Sequence, residues 1–497
     1  MHEAMIQLLT PVGLLTVVVG TALGVFVGAI PGLTGTMLIA LTLPLTFGAD
    51  PLLAMTFLIS IYVGAISGGM ISATLLRMPG TPASIVTTFD GYPMAQKGQP
   101  ERALGLGIMS SLIGGLISWI FLFSIAKPIA GIAISFGPFD YFSLVMMAMV
   151  LIATIGGRSL SRSLFSGFLG ILLSMPGIVQ ATGETRLTFG IPMLNDGFQL
   201  LPVLIGMFAV NQILRDIVNS DQHQASAAIA TSGATIRLVD VKKNRVNLLR
   251  SSLVGTWIGL LPGIGANIGS VTAYSIAKSS SKHPDEFGSG CEDGIIAAES
   301  ANNATIGGAL IPLVAVGIPG SVVEAVLLGA LVIHGFQPGP RLFDQSPELV
   351  YTIIFACLAA TLAMALISYF SMRLLASLTR IPLRFLLPII LTFCVVGSFA
   401  ISSRLFDVWV MIGFGLLAYF LESRRIPLAP LVIGFVLGPI AEENLSAALM
   451  SSNGDWSPLL TESKSLFFLL VAVIMLALPA WRCHRKNKEG KNAIEKF

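Results

Sequence analysis

Residues 66–81 read ISGGMISATLLRMPGT, and residues 306–321 read IGGALIPLVAVGIPGS. At a constant offset of 240 positions, Ile66/Ile306, Gly68/Gly308, Pro79/Pro319 and Gly80/Gly320 are identical, and Thr81/Ser321 both carry a hydroxyl. Upstream of each lies another interruption, GAIPGLTGT at 28–36 and GLLPGIGAN at 259–267. Each half of the chain thus holds a Pro-Gly break and, roughly 50 residues later, a second one closed by a hydroxyl. Four identities alone are weak evidence in a Gly-rich chain; the same order of breaks in both halves is much stronger. Proline removes a backbone donor and glycine tolerates unusual dihedrals, so each motif predicts an interrupted helix.

The composition says what these helices are embedded in. Of 497 residues, 54% are hydrophobic and 11% charged, with 51 Gly and 27 Pro and a mean hydropathy of +0.84. A soluble domain carries roughly 25% charge. Of the 55 charges, 24 fall in three stretches, 215–250, 278–299 and 482–497, which leaves apolar runs near the length of a membrane-spanning helix. A soluble enzyme is excluded, and a net charge of +3 offers no basic face for nucleic acid. Cys291, Cys357, Cys394 and Cys483 form no CxxC pair, hence no disulfide framework and no zinc site. The N-terminal MHEAMIQLL lacks a basic region and does not read as a cleaved signal peptide.

Continuous spans are expected near 51–76, 104–126, 139–156, 164–181 and 198–214, then near 305–333, 349–372, 385–402, 408–421, 430–441 and 465–481. The apolar stretches 10–48 and 251–278 are interrupted at Pro31-Gly32 and Pro262-Gly263. The expected fold is an all-α polytopic membrane protein of about 11–12 transmembrane helices with two inverted repeats containing broken helices or re-entrant hairpins. Its parts are a first half (1–214), a cytoplasmic linker (215–250), a second half (251–481) and a basic cytoplasmic tail (482–497). Orientation follows from Lys and Arg. Six of them after Trp481 place the C-terminus in the cytoplasm, whereas 442–464 carries four acids against Lys464 and falls outside. Both halves agree with the charge bias only if 251–278 enters and leaves on one side, as a hairpin does. A second hairpin in 10–48 opens to the opposite face.

A helix broken inside a bilayer exposes N–H groups that must face a cavity or a ligand, and its N-terminal end favours anions. The residues after the breaks are small or bear hydroxyls and amides: Gly32, Thr34, Thr36, Gly80, Thr81, Ser84, Gly263, Gly265, Asn267, Ser270, Gly320 and Ser321. No Lys or Arg sits within the motifs, the nearest being Arg77. The densest polar stretch, GSGCEDGIIAAESANNATIGG at 288–308, adds Asn302 and Asn303, whose amides need partners inside a span. Substrate-binding candidates are therefore Gly32, Thr34, Thr36, Gly80, Thr81, Gly263, Asn267, Asn302, Asn303, Gly320 and Ser321. Asn267, Ser270, Glu299 and Thr305 are candidates for a coupling cation. Glu299 reads as a functional intramembrane acid or as an interfacial charge, and Glu324, five residues past Pro319, is a weaker case. GIGANIG at 263–269 is not a dinucleotide loop, the five His are isolated, and no nucleophile motif, resident metal set or other cofactor site is expected.

The stretches GAIPGLTGTMLIALTLPLTF (28–47), GLLPGIGANIGSVTAYSIAK (259–278), GCEDGIIAAESANNATIGGALIPL (290–313) and GIPGS (317–321) resemble the large membrane subunit of the tripartite tricarboxylate transporter family, TctA. The resemblance covers essentially the whole chain. It implies a secondary importer of tricarboxylates or related carboxylates in a bacterial inner membrane, coupled to Na⁺ or H⁺. It also implies a small four-helix membrane subunit and a periplasmic substrate-binding protein as partners. A polar-lined anion channel, a carrier for another small organic anion and an intramembrane enzyme are the alternatives. The enzyme is disfavoured by the lack of a nucleophile–base or metal set. Movement of a broken-helix domain (10–100 and 251–345) against a more regular scaffold is the expected mechanism.

Overall fold

The computed structural model describes residues 2–155, 159–179, 182–218, 229, 231–262, 265–378, 383–400 and 402–477. Gly263, Cys483, the basic tail and most of 219–230 lie outside the described residues. Apart from a short antiparallel ribbon pairing Gly177–Ile178 with Thr185–Arg186, the regular structure described is helical. Seven described helices are long and apolar enough to cross a membrane, and six shorter apolar helices accompany them. The protein is an all-α, multi-pass membrane protein. The described residues of Met1–Ile134 and Gln199–Phe420 form one compact unit, and those of Ser135–Phe198 and Leu421–Phe497 a second. Each unit draws on both halves of the chain.

The first unit contains both repeats. In repeat one, α1 (Pro11–Gly28) and α2 (Gly35–Thr46) flank the first break, and α3 (Pro51–Leu76) leads to the second. After a 3-10 turn (Pro82–Ile85) and a short helix (Thr87–Gln96) comes α4 (Pro100–Ala133). In repeat two, α5 (Arg245–Leu260) and α6 (Gly265–Ser280) flank the first break. Then α7 (Glu292–Val316) leads to the second break, followed by α8 (Val322–Ile333) and α9 (Pro347–Phe370). Local chemistry sets these ends. Thr10, Thr34, Asp50 and Ser321 each accept a first-turn N–H as N-caps, and Pro11, Pro51, Pro100 and Pro347 begin their helices, where no donor is needed.

Equivalent contacts recur at constant offsets. Gly24, Gly28 and Gly68 let α1 and α3 touch backbone to backbone, a Cβ on them meeting the carbonyls of Ile61, Ala65 and Val25. Gly255, Gly259 and Gly308 do the same for α5 and α7, against the carbonyls of Ala301, Thr305 and Thr256. Both second breaks open on a left-handed residue at the same register, Arg77 at φ 58° and Gly317 at φ 80°. Arg77 bears the strain of that conformation without being glycine, and its guanidinium stands over the Tyr92 ring.

Direction follows from cross-contacts. Gly269, Ser270 and Tyr274 of α6 meet Thr305, Ala298 and Gly294 of α7 in descending order, so α6 folds back against α5 as a hairpin. Helices α4 and α9 begin alike, Pro100-Glu101 and Pro347-Glu348, yet run antiparallel: Gly115 faces Thr361, and Trp119 Nε1 donates to the Ile354 carbonyl at 2.9 Å. The repeats are inverted. They also interleave, α2 packing on α8 and α6 on the 3-10 turn.

Several boundaries differ from the sequence reading. The expected span 305–333 is two helices, because α7 starts at Glu292 and ends at Gly317, whose left-handed backbone turns the chain into the Pro319-Gly320 break. The expected span 164–181 stops at Ser174, before Pro176 and the ribbon at Gly177. Helix α5 begins at Arg245, inside the expected linker. In the second unit, helices Leu160–Ser174 and Leu428–Ser451 pack through Gly170 and Gly434, and Arg186 pairs with Glu442 at 2.7 and 2.9 Å.

Two outcomes follow. Gly64→Leu forces a side chain into the α1 backbone beside Thr21 and Val25, whereas Gly131, with open space around it, accepts leucine. Thermal unfolding of the purified chain should show the first losing at least about 1–3 kcal/mol of stability and the second nearly none. Separately, Arg102 bridges Asp240 and Glu292, and its guanidinium holds the Asp240 carboxyl below the usual carboxylate range. That contribution is complete above the ordinary range and is lost as pH falls through the lowered value. Asp240→Asn should therefore flatten the acid side of a Tm-against-pH curve.

Candidate substrate and cation site

Each repeat gathers its own two breaks. Gly80 lies against the Gly28 carbonyl, and Gly320 sits 3.1 Å (from an added Cβ) off the Gly259 carbonyl, so the second break leans on the end of the helix before the first. Gly265, at φ 69°, opens α6 beside Ser321. Gly32, at φ 89°, makes the equivalent turn before α2.

The predicted residues divide into three groups. Some are occupied by the fold. Thr34 caps α2 through the Met37 N–H at 3.2 Å. Thr81 is buried, with its Oγ1 2.7 Å from Ser84 Oγ. Ser270 donates to the Ala298 carbonyl and Thr305 to that of Asn302. Others are partly open: Gly32 and Thr36 are half-buried and Asn267 is exposed. Gly263 lies outside the described residues.

The third group is a buried polar cluster centred on α7. Glu299 is fully buried; Thr87 donates to its Oε1, and Ser111 to its Oε2 at 3.3 Å. Asn303 accepts from Ser67 at 2.6 Å and donates to Ser111 at 2.7 Å, tying α7 to α3 and α4. Asn302, also fully buried, bears on the Glu299 carboxylate one turn away, yet neither its Nδ2 nor its Oδ1 reaches hydrogen-bond geometry with any described residue. Apart from this loose approach to Glu299, the amide finds no hydrogen-bond partner among the described residues, and a buried polar group left short of partners costs about 1–3 kcal/mol. Ser321, at the mouth of α8, binds the buried Glu324, which also receives the Tyr62 hydroxyl. Among the described residues no group of three or more His, Cys, Asp or Glu could hold a metal ion.

Sequence reasoning missed Tyr62, Ser67, Thr87 and Ser111. Nothing in their local sequence singles these hydroxyls out, and only the packing of α3, α4 and the Thr87–Gln96 helix onto α7 and α8 gives each a role. It also missed Asp90. That buried carboxylate accepts the N–H groups of Gly288, Gly290 and Cys291 at 2.7–2.9 Å and the Tyr274 hydroxyl at 2.8 Å. It fastens the α6–α7 connection to the helix following the first repeat's second break.

A family model described as the tripartite tricarboxylate transporter TctA family matches residues 14–433. The chain belongs to this family. It is a membrane transport protein of the TctA type, and the match takes in both pairs of breaks and the α7 cluster. Among curated proteins it is 34% identical over 480 residues (96% of this chain, 95% of the other) to an uncharacterized 52.8 kDa protein of Agrobacterium vitis from the TAR-I ttuC' 3' region. A second Agrobacterium vitis protein, from the TAR-II ttuC' 3' region, is 38% identical over 234 residues, which is 46% of this chain and 97% of that protein. No solved structure matches.

The two asparagines should separate. Asn303→Leu leaves Ser67 and Ser111 without their partner and should lower stability by about 1–3 kcal/mol. Asn302→Leu removes an amide that makes no bond of normal geometry among the described residues and should cost less Tm than Asn303→Leu while abolishing uptake. An equal loss of Tm in both would show that Asn302 is structural.

Proposed function

We propose that this TctA-family chain is the large membrane subunit of a cation-coupled tripartite importer of tricarboxylates or related carboxylates. It works in a bacterial inner membrane with a small four-helix subunit and a periplasmic protein that delivers the substrate. Family membership over residues 14–433 carries the substrate class. The chemistry of the four breaks supports an anion held without basic side chains. A helix N-terminus contributes about 0.3–1 kcal/mol when exposed and up to about 2 when partly buried. Hydrogen bonds to a charged group add about 1.5–3 kcal/mol each. A few of these together reach the roughly 8 kcal/mol of micromolar binding.

In this reading Gly32, Gly80, Gly263 and Gly320 let the backbone approach the carboxylates, and Thr34, Thr36, Asn267 and Ser321 orient them. Asn267, Ser270, Glu299 and Thr305 serve the coupling cation, Na⁺ or H⁺, and Asn302 the substrate. The interleaving of α2 with α8, and of α6 with the 3-10 turn, supports a site shared by both repeats, with the broken helices moving as a group.

Uptake of citrate and smaller carboxylates into liposomes carrying this chain and its partner subunits tests the reading, with Na⁺ or pH gradients imposed separately. One gradient should drive accumulation, and Gly320→Val should abolish it while the protein still assembles. Lys97→Ala, whose ammonium only meets the Ser289 carbonyl at the surface, should transport normally. Uptake that persists with both gradients collapsed would identify a channel instead.

A further inference from the structure

The fold builds the same capping arrangement twice, and only one copy contains an acid. In repeat one the N-cap Thr81 is closed by Ser84, whose Oγ accepts the Thr81 N–H at 3.1 Å and lies 2.7 Å from its hydroxyl. In repeat two the N-cap Ser321 is closed by Glu324, 240 positions on. In repeat one a serine closes the cap; in repeat two a carboxylate takes that place and also reaches Tyr62 of the other repeat.

That carboxylate is not neutralised by its surroundings. Glu324 is fully buried, and no Lys, Arg or His among the described residues pairs with it. Its oxygens meet two hydroxyls, Tyr62 at Oε1 and Ser321 at Oε2, and the backbone N–H groups of Ser321 and Glu324 also point at the carboxylate. Of the elements packed on α8, α2 and Leu200–Ile205 carry no titratable group. Helix α3 presents Tyr62, behind which lies Cys357 of α9, and Glu299 of α7 is engaged by Thr87 and Ser111 instead. A bare carboxylate held this way inside a membrane protein is expensive, and such groups commonly carry protons.

Ser321 Oγ accepts the Val323 N–H at 3.2 Å, which turns its own hydrogen to Oε2; the Tyr62 hydroxyl, without that constraint, donates to Oε1 of the charged form and can turn to accept from Oε1 once it is protonated. An alkali ion needs several acceptor oxygens around it; the groups at this carboxylate are donors pointing at it.

We propose that Glu324 is a proton-binding site, its Oε1 taking one proton from water on one side of the membrane and returning it on the other in each cycle, with Tyr62 as its gating partner. The cycle rests on the carrier reading above, whereas proton binding itself does not. Infrared spectra of the purified full-length protein should show the C=O stretch of a protonated carboxylic acid that disappears as pH rises. The wild-type minus Glu324→Gln difference spectrum should contain that band, and the same difference should persist when both proteins also carry Glu299→Gln.

In liposomes with the partner subunits, Glu324→Gln should lose citrate accumulation driven by a pH gradient but retain citrate counterflow. Tyr62→Phe, which removes a donor to the charged form, should move the midpoint of the pH–uptake profile to higher pH. A band absent from the wild type, or a Glu324→Gln protein that accumulates citrate on a pH gradient as the wild type does, would overturn the proposal. Wild-type protein that moves no carboxylate under any gradient, yet shows the band, would overturn the carrier reading and leave the proton site standing.

Discussion

Interrupting a helix within an apolar medium frees backbone N–H and C=O groups that lipid cannot satisfy, and that constraint organises the larger unit. Each interruption is answered by another part of the same repeat. Gly80 and Gly320 bring the second breaks against the carbonyl ends of α1 and α5, and hydroxyl N-caps close the helices that follow. The glycines of α1, α3, α5 and α7 are the means: without a Cβ at Gly28 or Gly259 the helices come close enough for one break to support the next. The hydroxyl caps Thr34 and Ser321 each answer one first-turn N–H, of α2 and of α8, and leave the other N–H groups of that turn without an intrahelical partner.

Inversion of the repeats duplicates the scaffold without duplicating the chemistry. Position 62 is Tyr in the first copy and its counterpart, 302, is Asn; position 84 is Ser and its counterpart, 324, is Glu; position 59 is Ile and its counterpart, 299, is Glu. Both buried acids of the α7–α8 region thus belong to repeat two; of their hydroxyl partners Ser321 is from the same repeat, whereas Tyr62, Thr87 and Ser111 belong to repeat one. The polar cluster exists only because the copies cross, and the crossing places acids from one copy under the control of hydroxyls from the other.

The backbone periodicity that makes a membrane protein is legible in the chain alone. Long apolar runs and the paired Pro-Gly motifs announce interrupted helices in two related halves, because these features act locally, through dihedrals and missing donors. Asn302, Asn303 and Glu299 were visible for a similar reason: amides and carboxylates are conspicuous within an apolar run. Helix ends were less legible. The stop of α7 depends on a left-handed Gly317, and a hydropathy pattern carries straight through it into α8.

What tertiary structure alone decided is which groups answer one another. Asn303 and Asn302 are neighbours of the same type, yet one is saturated by Ser67 and Ser111 and the other has no hydrogen-bond partner among the described residues. Thr81 and Ser321 read alike, yet one faces a serine and the other an acid bound to Tyr62, 262 positions away. The sequence by itself determined where the helices must break and that the breaks come in two related pairs. Hydrogen bonds act over about 3 Å, so their pairing is set by how helices distant in the chain pack, not by spacing along it.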